Sequence, residues 1–167
     1  MELLRELSDY NKVRQLLDLA AGKTSKLWRF FFDTSLSRLL RRVKEDNTRE
    51  FAGLLSGVPG IFLSLDLGHH VFFHEKIVSG LTFENPGRVL VSIAFVSYLL
   101  DKWSENSHLS WNYMLEYMSL TLWRAMQKQR RACIYLPVRQ SALDRVEEEV
   151  LESDGGNLRA GLDPHAE

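Results

Sequence analysis

Apolar residues recur through most of this chain at intervals of three and four, with polar residues between them. That spacing places the apolar residues on one face of an α-helix, so it predicts a series of amphipathic helices. Gly22 and the segment Gly57-Val58-Pro59-Gly60 interrupt the pattern and predict helix ends. The predicted helical stretches are residues 9–21, a short helix that Thr24 or Ser25 caps, and residues 36–55, 61–68, 72–81, 89–100 and 110–131.

The stretch at residues 89–100 differs from the others because it is apolar on every side. Asn85 provides an N-cap and Pro86 occupies the first helical position, which together mark the beginning of this helix. A helix without a polar face has to be surrounded by other helices. A strand at residues 61–68 would have no partner, because no second segment alternates with period two. The pattern therefore predicts an all-α, single-domain bundle in which amphipathic helices surround an apolar central helix at about residues 89–100.

Charge is distributed unevenly along the chain. The 167 residues include 21 Lys and Arg and 22 Asp and Glu, which gives a net charge of −1. Residues 141–167 hold eight acidic and two basic residues, so they carry −6 and residues 1–140 carry +5. We expect a helical domain over residues 1–140 and an acidic, disordered tail over residues 141–167. The overall balance is not typical of a nucleic-acid-binding protein, so no nucleic acid is expected as a partner.

The chain has no segment typical of a membrane span or a signal peptide. Its longest apolar run, residues 89–100, has twelve residues, whereas a bilayer-spanning helix needs about 20. The N-terminus carries Glu2, Arg5 and Glu6, and is too charged for the apolar centre of a signal peptide. We expect an intracellular protein. Cys133 is the single cysteine, so it forms no internal disulfide, and it is either an ordinary cysteine or a point of lipid attachment.

The sequence contains no constellation that predicts catalysis. His69, His70 and His74 lie close together, but Glu75 follows them instead of lying between two of them as in a zinc-protease motif. We interpret them as a surface cluster and expect neither a metal nor a cofactor. Gly53-Leu54-Leu55-Ser56-Gly57 does not have the spacing of the Gly-x-Ser-x-Gly nucleophile elbow. The chain is therefore predicted not to be an enzyme.

The architecture itself offers a binding function, because a central helix with amphipathic neighbours can leave an apolar groove that accepts a partner helix. Gly87 would allow a partner backbone to come close, and Arg88 offers a planar cation to a carboxylate. The alternative is that these residues only begin a capped helix whose arginine is solvated. Spacing alone leaves both interpretations open.

Several motifs favour the partner-binding interpretation. Asn85-Pro86-Gly87-Arg88 followed by Ala94-Phe95 resembles the first homology motif of the B-cell-lymphoma (Bcl) family of apoptosis regulators, in which Asn-Trp-Gly-Arg opens the central helix. Over residues 1 to about 135, and again near the end, the chain resembles the adenovirus early-region small T antigen (19K) family. The matching segments are Trp28-Arg29-Phe30, Lys44-Glu45-Asp46, Leu67-Gly68-His69, Glu75-Lys76, Pro86-Gly87-Arg88, Asp101-Lys102-Trp103-Ser104-Glu105, His108-Leu109-Ser110, Leu122-Trp123-Arg124-Ala125 and Arg159-Ala160-Gly161-Leu162-Asp163-Pro164.

The resemblance implies a Bcl-like helical bundle and an early viral protein that inhibits host apoptosis without catalysis. Such a protein sequesters Bax, Bak and related death-ligand proteins by holding their amphipathic helix, which prevents their oligomerisation at mitochondria. Arg88 would then pair with an Asp of the bound helix, and Gly87 would permit its close approach. The apolar contacts would come from Phe95, Leu39, Leu40 and Val43.

The resemblance also implies peripheral association with mitochondrial and other cytoplasmic membranes and with the nuclear envelope, including contacts with the nuclear lamina. This sequence departs from the family pattern at Pro86, where the Bcl motif has Trp, and it has no apolar C-terminal anchor. A helical adaptor or scaffold at the nuclear envelope or in transcription regulation, tethered through the basic face and the acidic tail, is the alternative function.

Overall fold

The computed structural model describes the backbone of residues 7–154, and the side chains of these residues except 26, 28, 29 and 133–154. Over this part of the chain the structure contains eight α-helices and no strand, which confirms the predicted all-α bundle. The helices are α1 (Tyr10–Ala20), α2 (Lys26–Phe32), α3 (Ser35–Asp46), α4 (Thr48–Ser56), α5 (Ile61–Asp66), α6 (His70–Lys76), α7 (Pro86–Asn106) and α8 (Trp111–Asp154), with a 3₁₀ turn at Val78–Gly80 after α6.

The helix α7 is the centre of the bundle, as its apolar sequence predicts. Twelve of its residues are buried, including every residue from Ser92 to Leu100. Helices α1, α3 and α4 pack against it, and α8 adds Met114, Met118 and Leu122 to the same core. The amphipathic helices therefore bury their apolar faces on a helix that has no polar face of its own.

The predicted helix over residues 36–55 is wrong as a single element, because the chain breaks it at Asn47. Asn47 leaves the helical conformation, with φ −102° and ψ 10°, and ends α3. Its side-chain amide donates to the carbonyl of Val43 at 2.7 Å, and its own carbonyl accepts from Phe51 N at 2.9 Å. One residue thus closes α3 and begins α4, which turns the chain while both helices keep apolar residues on the core.

The central helix is longer than the predicted 89–100, because the polar stretch of residues 101–106 continues α7. Trp103 lies in this polar stretch and is completely buried. Its indole N–H donates to Asp66 Oδ1 at 2.7 Å, and the hydroxyl of Ser107 donates to the same oxygen at 2.7 Å. A single buried ring with a satisfied N–H therefore holds the last turns of α7 against the end of α5.

The last helix also exceeds its prediction, since α8 continues beyond residue 131 and past Pro137 to Asp154. The chain divides into two units, Met1–Lys128 and Gln129–Glu167. The first contains α1–α7 and the beginning of α8. The proposed division into a domain at 1–140 and a tail at 141–167 stays a prediction, and residues 155–167 lie outside the described part. None of the helices described is long and apolar enough to cross a membrane.

A half-buried ion pair fastens α1, α3 and α7 together. Lys44 Nζ lies 2.7 Å from Asp101 Oδ2, and the two side chains are only 12% and 21% exposed. Lys44 also donates to the carbonyl of Ala20 at 2.6 Å, while Asp101 Oδ1 accepts from Gly22 N at 2.6 Å. The pair thus satisfies polar groups that the end of α1 leaves without helical partners.

Arg41 strengthens the same junction one turn earlier on α3. Its guanidinium donates to the carbonyl of Leu19 at 2.9 Å and to Asp33 Oδ2 at 2.7 Å. The hydrogen bond from Arg41 lowers the pKa of the Asp33 carboxyl; burial opposes this shift, and the Ser37 hydroxyl assists it. Asp33 is therefore held in its charged form between α2 and α3.

We predict that Asp101→Asn reduces the free energy of unfolding by about 2–3 kcal/mol, because it leaves the half-buried Lys44 without a counter-charge. Urea denaturation followed by circular dichroism measures this loss. Glu105→Gln is the matched control, since Glu105 makes a similar 2.8 Å contact with Lys102 on the same helix but is 56% exposed. The control should change stability by no more than about 0.5 kcal/mol. Equal effects of the two variants would contradict the fastening role of Lys44 and Asp101.

A pH dependence follows from Asp33, whose folded-state pKa lies below its ordinary value of 3.8. A depressed carboxyl pKa stabilises the fold above the unfolded-state pKa, and this contribution is lost as the pH falls through the folded-state value. Asp33→Asn should therefore destabilise the protein by about 1–2 kcal/mol at neutral pH and by progressively less in acid. Melting temperatures of both proteins between pH 7 and pH 2.5 test this, and a difference that does not change with pH would refute it.

Candidate functional site

An apolar cavity of about 610 Å³ lies beside the first turns of α7. Its walls come from α4, from the end of α6 with the 3₁₀ turn, and from α7, all within the unit Met1–Lys128. The lining residues are Phe51, Leu54, Val58, Lys76, Ile77, Gly80, Thr82, Asn85, Gly87, Arg88, Val91, Ser92 and Phe95. This volume is within the range of about 300–1,000 Å³ that is usual for binding pockets.

The cap predicted from the sequence positions one edge of the cavity. Asn85 Oδ1 accepts from the backbone N–H of Arg88 at 2.9 Å, and Pro86 is the first residue of α7. Asn85, Pro86, Gly87 and Arg88 are all exposed, whereas every residue of α7 from Ser92 to Leu100 is buried. The capped beginning of the central helix therefore lies at the surface, where its residues are accessible to a ligand.

Arg88 makes an intramolecular ion pair that the sequence analysis missed. Its Nη1 lies 2.5 Å from Glu84 Oε2, four residues earlier. The two side chains are 53% and 57% exposed, and exposed pairs of this kind contribute only about 0.3–0.5 kcal/mol. A ligand carboxylate can therefore replace Glu84 at little energetic cost.

Gly87 is not required by the conformation of the backbone. Among the described glycines, only Gly60 and Gly68 have positive φ angles. A Cβ atom added to Gly87 would meet Asn85 Oδ1 at 3.4 Å, which is an ordinary contact. The helix would accept a side chain at position 87. The missing side chain therefore matters for how closely a ligand can approach and not for the fold.

Aromatic and aliphatic side chains form the apolar surface of the cavity. The rings of Phe51 and Phe95 are 5.1 Å apart and are almost fully buried. Leu54 and Val91 are 60% and 43% exposed. The cavity therefore has a buried aromatic floor and exposed aliphatic walls, a combination that suits the apolar face of a ligand.

The charges at this cavity are positive. Lys76 and Arg88 are the two charged side chains among its lining residues. Arg88 pairs with Glu84, which does not line the cavity. A ligand with an apolar face and carboxylates at its edge would complement this arrangement.

The predicted site residues separate into two groups. Gly87, Arg88 and Phe95 line the cavity together, whereas Leu39, Leu40 and Val43 lie on α3 and do not line it. Leu40 is completely buried, Val43 is half-buried against the core, and Leu39 is 43% exposed. Leu40 and Val43 pack into the bundle because α3 lies against α1 and α7, whereas Leu39 stays exposed.

Four lining residues were not predicted from the sequence pattern: Phe51, Leu54, Lys76 and Val91. The spacing of Phe51 and Leu54 puts them on adjacent positions of a helix surface. This spacing was visible in the sequence. Because a single helix was predicted over residues 36–55, however, the separate orientation of α4 was not predicted. Only the break at Asn47 turns these residues toward α7.

Of the three histidines, His70 packs against α8, whereas His69 and His74 are exposed. The His70 ring stacks on Tyr117 with centroids 4.5 Å apart. Partial burial lowers the pKa of His74, and the charges of His70 and Arg124 lower it further. Over the residues that the structure describes, no three His, Cys, Asp or Glu side chains are grouped to hold a metal ion. Cys133 lies on α8 among the side chains outside the description, so its lipidation stays a prediction.

Comparison with known proteins assigns the chain to a family. Residues 1–135 match the family model described as adenovirus E1B 19K protein / small t-antigen. The E1B small T-antigen of human adenovirus F serotype 40 is 46% identical over 168 residues, covering 100% of this chain and 99% of that protein. Those of human adenovirus A serotype 12 and C serotype 2 are 52% and 38% identical, covering 81% and 98% of this chain, and 82% and 99% of their own lengths. No solved structure matches. The chain therefore belongs to the adenovirus E1B 19K, or small T-antigen, family.

Proposed function

We propose that this viral protein inhibits host apoptosis, without catalysis, by binding Bax and Bak in the cavity beside α7. Holding the death-ligand helix of each partner blocks the oligomerisation of these proteins at mitochondria. The observation that carries the proposal is the convergence of Gly87, Arg88 and Phe95 on one apolar cavity. The protein acts in the cytoplasm, at mitochondrial and other cytoplasmic membranes and at the nuclear envelope, where it also contacts the lamina.

The size of the cavity defines how a helix would bind. A volume of about 610 Å³ accepts a few side chains and not a whole helix. The partner helix therefore lies across the opening and inserts apolar anchors from positions three and four residues apart. Leu54 and Val91 would contact the sides of these anchors, and Phe95 the ends.

Arg88 supplies the specificity in this arrangement. A carboxylate on the partner helix replaces Glu84 and pairs with the guanidinium, where the bound helix covers both groups. Excluding water from this pair makes it stronger than the exposed pair it replaces. Gly87 lies next to Arg88 and leaves room for the partner backbone to approach.

We predict that Arg88→Glu weakens binding of labelled Bax and Bak helices by at least about tenfold, because it sets a carboxylate against the carboxylate of the partner. Fluorescence anisotropy titration of the purified protein measures the affinity. Arg49→Glu is the matched control, since it makes the same charge change at an exposed position of α4 that does not line the cavity.

The folded state of each variant is verified by its circular dichroism spectrum. Equal binding by the Arg88 and Arg49 variants would contradict the role of Arg88. Absence of binding by the folded natural protein would overturn the proposal and favour the adaptor interpretation, which expects deletion of residues 141–167 to abolish localisation.

A second prediction separates a binding role of Gly87 from a structural one. Gly87→Ala should leave the free energy of unfolding unchanged or raise it by up to about 1 kcal/mol, because alanine favours helix more than glycine does. Gly87→Leu should also fold and should reduce partner-helix affinity more than Gly87→Ala, because its side chain occupies the path of the partner backbone.

Gly53→Leu provides the control for this series. A Cβ at Gly53 on α4 meets nothing within 4 Å, so the same substitution there should leave helix binding unchanged. A fall in melting temperature for Gly87→Ala, with affinity unchanged, would instead identify Gly87 as a structural residue.

A further inference from the structure

The short helix α2 presents an apolar surface that the cavity does not use. Leu27, Phe30 and Phe31 are 75%, 83% and 73% exposed, and Phe32 is 43% exposed. The Phe30 and Phe31 rings contact each other edge to face with centroids 5.4 Å apart. None of these side chains lines the cavity beside α7. An exposed cluster of this size on a folded domain marks an interaction surface rather than a part of the core.

The sequence around α2 is strongly basic. Residues 22–44 contain seven Lys and Arg and one acidic residue, Asp33. Asp33 is already neutralised, because Arg41 lies 2.7 Å and Arg38 3.9 Å from its carboxylate. Arg38 and Arg42 are exposed on α3 four residues apart, on one face of that helix. Of the seven, Arg41 and Lys44 are paired with Asp33 and Asp101. The other five still leave the segment that carries the apolar cluster with a net positive charge.

We infer that α2 is a membrane-interface element that inserts its aromatic side chains into the surface of a bilayer containing anionic phospholipids. The inference rests on the peripheral membrane association proposed above and gives it a site; it does not depend on the cavity. The combination of Phe, Trp and Leu with Lys and Arg is that of helices that lie in the interface. A seven-residue helix is only about 10 Å long, which suits insertion at the headgroup boundary rather than spanning.

Charge favours this occupant over a second copy of the chain. A symmetric dimer through α2 would place two basic surfaces against each other, which is unfavourable. Anionic headgroups instead attract the same residues, and each Lys or Arg near such a surface strengthens binding by about fivefold. Anionic phospholipid therefore complements both features, since its acyl chains suit the apolar cluster and its headgroups suit the basic residues.

Flotation of the full-length protein with vesicles tests the inference. Binding should be stronger to phosphatidylcholine vesicles that contain phosphatidylserine than to pure phosphatidylcholine, and salt should weaken it. Replacing both Phe30 and Phe31 with Ser should reduce partitioning by at least about tenfold. Leu63→Ser with Leu67→Ser is the matched control, since these side chains are 64% and 63% exposed elsewhere, and it should retain binding within about twofold.

A spectroscopic readout locates the inserted segment. Lipids brominated on their acyl chains should quench a tryptophan introduced by Phe31→Trp more strongly than one introduced by Leu63→Trp, since Leu63 is exposed elsewhere. Equal quenching of the two variants would overturn the inference.

The two proposals fail in distinguishable ways. If the double variant Phe30→Ser with Phe31→Ser binds vesicles as well as the control does, the role of α2 is overturned. The proposed peripheral membrane association would then stand. No vesicle binding by the natural protein would overturn both. A self-association that only the α2 variant loses, without vesicle binding, would identify a second copy as the occupant. The α2 variant should keep its affinity for the Bak helix. Failure of the natural protein to bind that helix would therefore overturn only the proposed function of the cavity.

Discussion

The bundle depends on one constraint, which is that the central helix α7 has no polar face to turn toward water. From Ser92 to Leu100 every residue is buried, so other helices must cover it on all sides. Covering is incomplete at the N-terminal end, where Asn85, Pro86, Gly87 and Arg88 are exposed. The cavity lies at this transition from an exposed to a buried helix, where Val91, Ser92 and Phe95 of α7 line it.

An apolar centre does not by itself orient the helices around it, because apolar contacts are non-directional. The polar junction of Lys44 and Asp101 supplies direction. It joins α3 to α7 and satisfies the end of α1 through Ala20 and Gly22. These groups have fixed donor and acceptor geometry, so a rotation of α3 would leave a charge half-buried without its partner. Fixing α3 also fixes Asn47 and hence the course of α4, which forms one wall of the cavity.

Residue patterns predicted the all-α class, the beginning of α7 at Asn85 and Pro86, and the central position of residues 89–100, because burial and capping act over a few neighbouring residues. They did not predict the break at Asn47, where one polar side chain bonds the preceding turn at Val43. They also did not predict the continuation of α7 to Asn106, which depends on the long-range contact of Trp103 with Asp66. Gly87, Arg88 and Phe95 line one cavity, whereas Leu39, Leu40 and Val43 lie on α3 away from it; whether they bind a partner stays a prediction. A periodic apolar face shows that a helix packs, and only the fold shows against what.

The state of Arg88 decides how readily the cavity exchanges its own contact for that of a ligand. A pair as shielded as Lys44 and Asp101 would have to be broken at a cost of about 2–3 kcal/mol, and binding would have to overcome that cost. The pair with Glu84 is exposed on both sides and joins neighbouring turns of one segment, so its loss costs only a few tenths of a kcal/mol. It nevertheless keeps the guanidinium beside the cavity in the absence of a ligand. Glu84 therefore preorganises Arg88 without competing strongly for it.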